Sequence, residues 1–375
     1  MAVYKIFPIA DTTIYSGYPS MNTGLDEILE SSTNYKSGPL ESNGVYPQAS
    51  RFLIKFDQSE ITGLFSSLIG TSSWDANLKC FVANSEGLSS TTTLLANALY
   101  QDWSMGTGRY LDSPEATNGA SWVWSDYSGS TKWATSSFDT GTTGSYNIAN
   151  NPSSTGGGVW YTGSQSSQSF NYYSDLDLNF NVTNIVTNWS SSDFNNYGFI
   201  VRQSSSQEFV NNSTQQVTLK YFSRDTHTIY PPQLEFKWDD STYNTGSLSV
   251  INTVPTYVNL QENPGVFYSG SVNTFRVNSR PQYPPAVWQT GSYYTENYAL
   301  PEASYWALKD LDTDEYVIDF DSTYTKLSCD SVGSFFTMYM NGLEPERYYK
   351  ILIKTTISGN TIIFDNNYYF KVVNG

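Results

Sequence analysis

Histidine, cysteine and basic residues are scarce in this chain of 375 residues. It has one histidine, two cysteines and 19 lysines and arginines against 35 aspartates and glutamates, which gives a formal net charge of -16. Such a charge repels phosphate backbones and anionic lipid headgroups, so we expect no nucleic acid partner and no membrane insertion. The chain also lacks an apolar run long enough to span a bilayer.

The same scarcity limits the chemistry that the chain can perform. A catalytic triad would have to be built on His227, the one histidine, and a zinc site would have to recruit ligands without any Cys-x-x-Cys spacing. No carboxylate pair stands out for glycoside hydrolysis. We therefore expect a protein that is not an enzyme, with Cys80 and Cys329 as reduced thiols in the core.

What the chain has in abundance is aromatic residues, namely 30 tyrosines, 20 phenylalanines and 10 tryptophans. Short apolar runs bounded by polar turns, such as residues 52–56 and 198–202, predict the strands of an all-β protein. Two short helices are predicted, one capped by Ser59, in which Ile61, Leu64, Phe65 and Leu68 share a side, and one capped by Thr183. In the second, Ile185, Val186 and Trp189 share one apolar face.

An ordered set of motifs occupies the first 240 residues. Its members are Ala10-Asp11-Thr12-Thr13-Ile14, Asn22-Thr23-Gly24, Arg51-Phe52-Leu53-Ile54-Lys55-Phe56-Asp57, Asp102-Trp103, Gly119-Ala120-Ser121-Trp122, the glycine run 156–158, the segment 182–189, Tyr197-Gly198-Phe199-Ile200, Phe222-Ser223-Arg224-Asp225 and Pro231-Pro232-Gln233-Leu234-Glu235. In this order the set resembles the DNRLRE domain, a jelly-roll module similar to family 96 carbohydrate-binding modules. The resemblance implies a jelly-roll β-sandwich over residues 1–241.

The periodicity restarts after the polar segment 241–247. Six or seven short strand candidates follow in residues 247–375, the number typical of an immunoglobulin-like or fibronectin-like β-sandwich. The segment 342–349, Gly-Leu-Glu-Pro-Glu-Arg-Tyr-Tyr, resembles the corner that leads into a late strand of fibronectin-type domains. Asp310, Asp312 and Asp314 are spaced as in a calcium loop, but Glu315 replaces the required glycine, so we predict a hairpin turn there.

The carboxy-terminal half also resembles the end of virion structural proteins of tailed phages, particularly T4-like marine phages. The residues that carry this are Tyr283-Pro284-Pro285, Leu300-Pro301, Phe320-Asp321-Ser322, Thr325-Lys326-Leu327-Ser328 and Leu343-Glu344-Pro345-Glu346-Arg347. The resemblance implies a non-enzymatic component of a tail, neck, baseplate or capsid exterior, present in many copies beside other virion proteins. Because residues 1–8 do not read as a secretion signal, we expect folding in the host cytoplasm and incorporation into the virion. The alternative is a carbohydrate-binding module that recognises host-surface polysaccharide.

Two sets of candidate site residues follow. Trp103 and Trp122 are expected to anchor the long segment 101–170 on the sandwich, whereas Trp124, Trp133, Trp160 and Tyr161 are candidates for contact with a glycan or a protein. Core packing is the favoured interpretation for the rings of this segment, and Trp124, Trp133 and Trp160, flanked by serine, glycine and lysine, are the ones expected to be exposed.

Jelly-roll modules often hold a structural calcium ion, which in this chain would take oxygens from Asp11, Asn22, Asp26 and Glu27. Alternatively, Asp11 and Asn22 form turns by bonding backbone N–H groups. We favour the turns, and we expect no other cofactor.

Overall fold

The computed structural model describes residues 2–37, 45–88, 91–134, 142–143, 146–147, 155–208, 216–261, 264–283 and 296–375. The chain divides into two compact units. The N-terminal unit consists of Ile6–Gly70 and Asp75–Glu235. The C-terminal unit consists of Phe236–Gly375 together with two short pieces, Met1–Lys5 and Thr71–Trp74.

Strands far outnumber helices among the described residues, which confirms the all-β prediction. In chain order they are β1 (Ala2–Ile6), β2 (Ala10–Tyr15), β3 (Ile28–Ser37), β4 (Val45–Lys55), β5 (Trp74–Cys80), β6 (Val82–Glu86), β7 (Thr92–Leu99), β8 (Trp124–Asp126), β9 (Thr131–Lys132), β10 (Thr142–Thr143), β11 (Tyr146–Asn147), β12 (Thr155–Gly156), β13 (Trp160–Phe170), β14 (Leu178–Asn181), β15 (Phe199–Gln203), β16 (Val217–Phe222), β17 (Gln233–Trp238), β18 (Thr256–Gln261), β19 (Val266–Tyr268), β20 (Val272–Pro281), β21 (Ser304–Asp310), β22 (Tyr316–Ile318), β23 (Ser328–Cys329), β24 (Ser334–Tyr339), β25 (Tyr348–Ile357) and β26 (Asn360–Val373).

A large sheet organises the N-terminal unit. Its strands run in the order β10-β13-β7-β15-β4-β3-β16-β6, with β2 also paired to β4. Successive side chains of β4 point to opposite faces of the sheet, yet Phe52, Leu53 and Ile54 are all fully buried. The large sheet is therefore covered on both faces, and one covering layer contains Trp103 and Trp122, which are both buried as predicted.

The two predicted helices are present with changed caps. Helix α1 (Gln58–Leu64) is capped by the Asp57 carboxylate, which accepts a hydrogen bond from the Ser59 backbone N–H at 2.9 Å. The prediction of a Ser59 cap was therefore wrong by two residues. A π-helical turn, Phe65–Ile69, continues α1, and its wider spacing buries Ile69 while Leu68 is exposed.

Helix α2 (Thr183–Ser190) has the predicted buried face of Ile185, Val186 and Trp189. Thr183 does not cap it but lies in its first turn, where the hydroxyl oxygen accepts a hydrogen bond from the Ala76 backbone N–H at 3.0 Å. The Trp189 ring lies 4.7 Å from the Phe199 ring, between centroids, which fastens α2 to β15. None of the helices in the described ranges has the length and apolar character needed to cross a membrane.

Two sheets form the C-terminal unit as an immunoglobulin-like sandwich. One has the order β18-β20-β24-β23 and the other the order β19-β26-β25-β21-β22, in which β19 runs parallel to β26. Trp306 stacks on Phe336 at 4.9 Å in the core. The predicted corner is also present, since the Tyr349 hydroxyl donates to the Glu344 carbonyl at 3.1 Å.

The boundary between the units differs from the one read off the sequence. The division falls inside β17, between Glu235 and Phe236, and not in the polar segment 241–247. That segment is hydrogen bonded within the C-terminal unit: the Cys329 N–H donates to the Thr242 carbonyl, and the Asn244 N–H donates to the Cys329 carbonyl. Residues 242–244 therefore run beside β23 within the C-terminal unit.

Candidate functional site

A buried arginine is the centre of the aromatic region that the sequence singled out. The Arg51 guanidinium lies 4.8 Å from the Trp122 ring and 5.1 Å from the Trp160 ring, and Arg202 lies 4.6 Å from the Trp160 ring. Arg51 also forms a two-pronged pair with Glu208, with both N–O distances at 2.8 Å and both side chains fully buried. These contacts make the region a rigid interior and not a receptive surface.

The glycine run is required by the same arrangement. Gly157 has φ +90° and its carbonyl accepts a hydrogen bond from Arg51 Nη1. A side chain at this position would stand 2.6 Å from the Arg51 guanidinium and 2.8 Å from the Trp122 ring. The backbone therefore approaches the arginine closely only because residue 157 is glycine.

The predicted exposure of Trp133 and Trp160 is wrong. Each is 2% exposed, and the Trp133 indole N–H donates to the Ser121 carbonyl at 2.8 Å. Flanking serine, glycine and lysine suggested surface positions, but both indoles belong to the buried cluster that also contains Trp103 and Trp122. Trp124 is half-buried between Tyr127 and Lys132, and Tyr161 is half-buried on the Phe194 ring at 3.7 Å. The four rings form no common binding surface.

Asp11 connects the first and last parts of the motif set. Its carboxylate is buried and accepts a hydrogen bond from the Arg224 backbone N–H at 2.6 Å. Burial raises the pKa of the Asp11 carboxyl from 3.8 to about 7, with a further upward contribution from Asp225 against the lowering effect of the Arg224 N–H. The Asp11 carboxylate thus holds the turn that follows β16 from its place in β2, and it does not form the local turn that the sequence predicted.

We expect the stability of the N-terminal unit to fall as pH rises from about 4 to about 7. Between these pH values the folded state keeps the Asp11 proton while the unfolded chain has lost it. The free energy of unfolding therefore falls by about 1.4 kcal/mol per pH unit across that window and does not change further above it. Asp11→Asn keeps an oxygen for the Arg224 N–H and should flatten this slope. Urea unfolding at pH 5 and pH 8 measures it, and an equal slope in the variant contradicts the assignment.

Asn22 is committed to hydrogen bonds with backbone groups. Its Nδ2 donates to the Met105 and Ala120 carbonyls at 2.7 and 2.8 Å, while its Oδ1 accepts from the N–H groups of Gly24 at 3.2 Å and Gly108 at 2.8 Å. Two donors and two acceptors satisfy the whole amide. Asn22 is therefore a bridge between loops, with no oxygen left for a cation.

Asp26 and Glu27, the other two calcium candidates, lie beside the turn after β16 that contains Arg224. Burial raises the pKa of the Asp26 carboxyl, and Glu27 Oε1 lies 3.7 Å from His227 Nε2. Within the residues that the structure describes, no group of three or more histidine, cysteine, aspartate or glutamate side chains could hold a metal ion. The structure thus does not bring the four predicted ligands together as a metal centre.

Asn22→Asp is expected to destabilise the N-terminal unit by about 1–3 kcal/mol, because a carboxylate oxygen would face two carbonyl oxygens that have lost their donor. Added calcium should not restore the loss. Thermal unfolding with millimolar calcium or with a chelator is the measurement, and Asn179→Asp, at an exposed position, is the control. Recovery of the variant by calcium would show that a cation does bind here.

The other reactive groups singled out in the sequence are an exposed histidine, two buried thiols and an aspartate that serves a turn. His227 is 91% exposed, and Cys80 and Cys329 are free and buried as predicted. Asp310 accepts bonds from Arg347 Nε and Nη2 at 2.6 Å each and from the Asp312 and Thr313 N–H groups, which makes it the anchor of the predicted hairpin turn.

Sequence reasoning missed one polar cleft, on the C-terminal unit. Its volume is about 250 Å³, and its lining includes Tyr257, Asn259, Asn278, Arg280 and Glu296. The Arg280 guanidinium lies 5.0 Å from the ring of Tyr257, which is 44% exposed. Only the pairing of β18 with β20 makes these residues neighbours, so the linear spacing gave no signal.

No protein-family model matches the chain, and a search of curated proteins gives no match. Among solved structures, a similarity is found to a DUF4785 family protein from Legionella pneumophila subsp. pneumophila str. Philadelphia 1. The identity is 8% and the TM-score 0.19, with 98% of this chain and 65% of the Legionella chain covered. A likeness at this level supports no conclusion about fold or function.

Proposed function

We propose that the chain is a non-enzymatic structural component of a tailed-phage virion that acts through protein–protein contacts. One observation carries the proposal: the residues of the ordered motif set maintain the sandwich. Asp11 holds the Arg224 turn, Asn22 bridges two loops, and Arg51 fills the centre of the tryptophan layer over Gly157. Because these three motif residues are buried and bonded within the fold, they support a structural role for the motif set and not a catalytic one.

Exposed aromatic rings supply contact sites on this scaffold. Tyr172 and Tyr173, at the turn between β13 and β14, are 78% and 92% exposed. The turn is held by the Asn171 and Ser174 side chains, which accept bonds from the Tyr173 and Asn171 N–H groups at 2.9 and 3.1 Å. Rigidly presented tyrosines are frequent anchors of protein interfaces, and other virion proteins are the proposed partners.

Mass spectrometry of purified phage particles tests this proposal. We expect peptides of the chain in particles at a multi-copy ratio to a known structural protein, retained after density-gradient purification. Tyr172→Ala/Tyr173→Ala should lower that ratio without changing the melting temperature, since neither ring is buried. Absence from washed particles while the chain is abundant in the lysate would overturn the proposal.

Glycan recognition is the second candidate function. The cleft of Tyr257 and Arg280 favours it, because an exposed ring beside amide and charged side chains is a typical surface for a hydroxylated ligand. This candidate is compatible with a place in the virion and requires no catalysis. Binding of saccharides to the intact chain, measured by NMR titration, is its test.

A further inference from the structure

We propose that the cleft on the β18–β20 ladder binds a single sugar residue that carries one carboxylate, as in a uronic acid within an otherwise neutral polysaccharide. This inference rests on the second candidate function, glycan recognition, and does not depend on the place of the protein in a virion. It assigns the carboxylate to Arg280, the ring face to Tyr257 and the hydroxyl groups to Asn259, Asn278 and Glu296.

Strand pairing places these side chains on one face. Tyr257 is directly opposite Arg280, and Asn259 is directly opposite Asn278. The alternate residues Val258, Val277 and Ser279 are buried, so the four paired side chains point to the outside of the sandwich. Glu296 and Asn297 close one side of the cleft, and Asn297 is fixed there by the Ser279 N–H at 2.9 Å and the Val332 carbonyl at 2.8 Å.

Arg280 is the group that selects a carboxylate. Within the described part of the chain it has no carboxylate partner at ion-pair distance, in contrast to Arg276 on the same strand, which pairs with Asp330 at 2.7 Å. Its polar contact inside the protein is a long one, 3.5 Å from Nη1 to the Pro281 carbonyl. Stacking on Tyr257 holds the planar guanidinium in place, so most of its five N–H donors remain for a ligand.

The surrounding groups suit hydroxyls. The Asn259 Oδ1 accepts the Tyr368 hydroxyl at 2.7 Å, which orients its Nδ2 as a donor, and the Tyr257 hydroxyl accepts from Gln282 Nε2 at 3.2 Å. Asn278 and Glu296 are exposed and supply both donors and acceptors. At about 250 Å³ the cleft is below the usual range for drug-sized ligands, which fits one sugar residue.

The charge of the chain sets the limit of one carboxylate. A net charge of -16 repels a densely charged polyanion, and Glu296 stands in the cleft beside the single arginine. One carboxylate of the ligand pairs directly with Arg280. Carboxylates on the adjoining sugars would find no second cation among the described lining residues. A repeat with one uronic acid among neutral sugars satisfies both conditions.

The test uses matched ligands and matched variants of the full chain. Methyl glycosides of glucuronic, galacturonic and mannuronic acid are each compared, by NMR titration, with the methyl glycoside of the corresponding neutral sugar, namely glucose, galactose or mannose. We expect at least one uronoside to bind about tenfold or more tightly than its neutral counterpart, as the loss of a charge-assisted bond implies. Arg280→Met should remove that difference, and Tyr257→Ala should weaken both ligands.

Tyr316→Ala is the matched control, because Tyr316 is also 44% exposed and also lies under a cation, Lys309 at 4.6 Å, but outside the cleft. It should leave binding unchanged. If uronosides bind and neither cleft variant weakens them, the site is wrong while glycan recognition stands. If no glycoside of the six binds, both the site and the glycan candidate fall. If all three neutral hexosides bind as tightly as their uronosides, the role of Arg280 is overturned.

Discussion

Glu208→Ala is expected to lower the free energy of unfolding of the N-terminal unit by about 3–5 kcal/mol. The substitution leaves the Arg51 guanidinium fully buried between Trp122 and Trp160 without its carboxylate, and an uncompensated charge in a low-dielectric interior is strongly unfavourable. Chemical denaturation of the wild type and the variant measures the loss. The midpoint of the N-terminal transition should fall while that of the C-terminal unit stays in place.

Two further variants separate the charge effect from the loss of packing. Arg51→Met/Glu208→Leu removes both charges and should recover part of the loss, because a buried pair is often replaceable by apolar side chains at little net cost. Glu346→Gln breaks the pair between the exposed Glu346 and the half-buried Lys371, and should change stability by less than about 1 kcal/mol. A double variant no more stable than Glu208→Ala would show that the geometry of Arg51, and not its charge, is what matters.

Features that depend on local periodicity could be predicted from the sequence. The buried face of α2 required only the spacing of Ile185, Val186 and Trp189, and the β21–β22 hairpin required only the turn residues after Lys309. The anchoring of the long segment by Trp103 and Trp122 came from the motif set, and the structure confirms it. In each case the determining residues lie close together in the chain or within one recognised pattern.

Features that depend on distant partners could not be predicted. Trp133 and Trp160 are buried because Arg51, Glu208 and the 101–134 segment converge on them, and the residues beside each tryptophan in the chain say nothing of this. The cleft of Tyr257 and Arg280 likewise depends on the pairing register of β18 and β20. The end of helix α1 also differs from its prediction. Regular helical spacing places Leu68 on the buried side, but the π-helical turn buries Ile69 instead and leaves Leu68 exposed.

Burial separates the charged groups that hold the N-terminal unit together from the arginine that carries the proposed glycan site. The N-terminal unit buries Asp11, Arg51 and Glu208. Each of these charged side chains bonds a partner inside the unit and so stabilises the fold. Arg280 keeps its guanidinium at the surface of the C-terminal unit on an exposed ring. In a chain so poor in basic residues, a surface arginine without a carboxylate partner among the described residues is the more informative signal of a ligand.

Trp160→Ala is expected to destabilise the N-terminal unit by about 3–5 kcal/mol, the range for truncating a core aromatic side chain. The indole is 2% exposed and stands between two guanidinium groups, so its removal opens a cavity and also withdraws a ring face from both Arg51 and Arg202. Trp124→Ala, at a half-buried position in the β8–β9 hairpin, should cost less than about 1 kcal/mol. Urea denaturation of the two variants side by side is the measurement.

Because the Trp160→Ala change would unfold much of the unit, any loss of particle incorporation or glycan binding that it caused would report instability and not a contact. A Trp160→Ala protein as stable as the wild type would mean that the ring does not occupy the arginine layer, and the surface role first considered for it would then stand again.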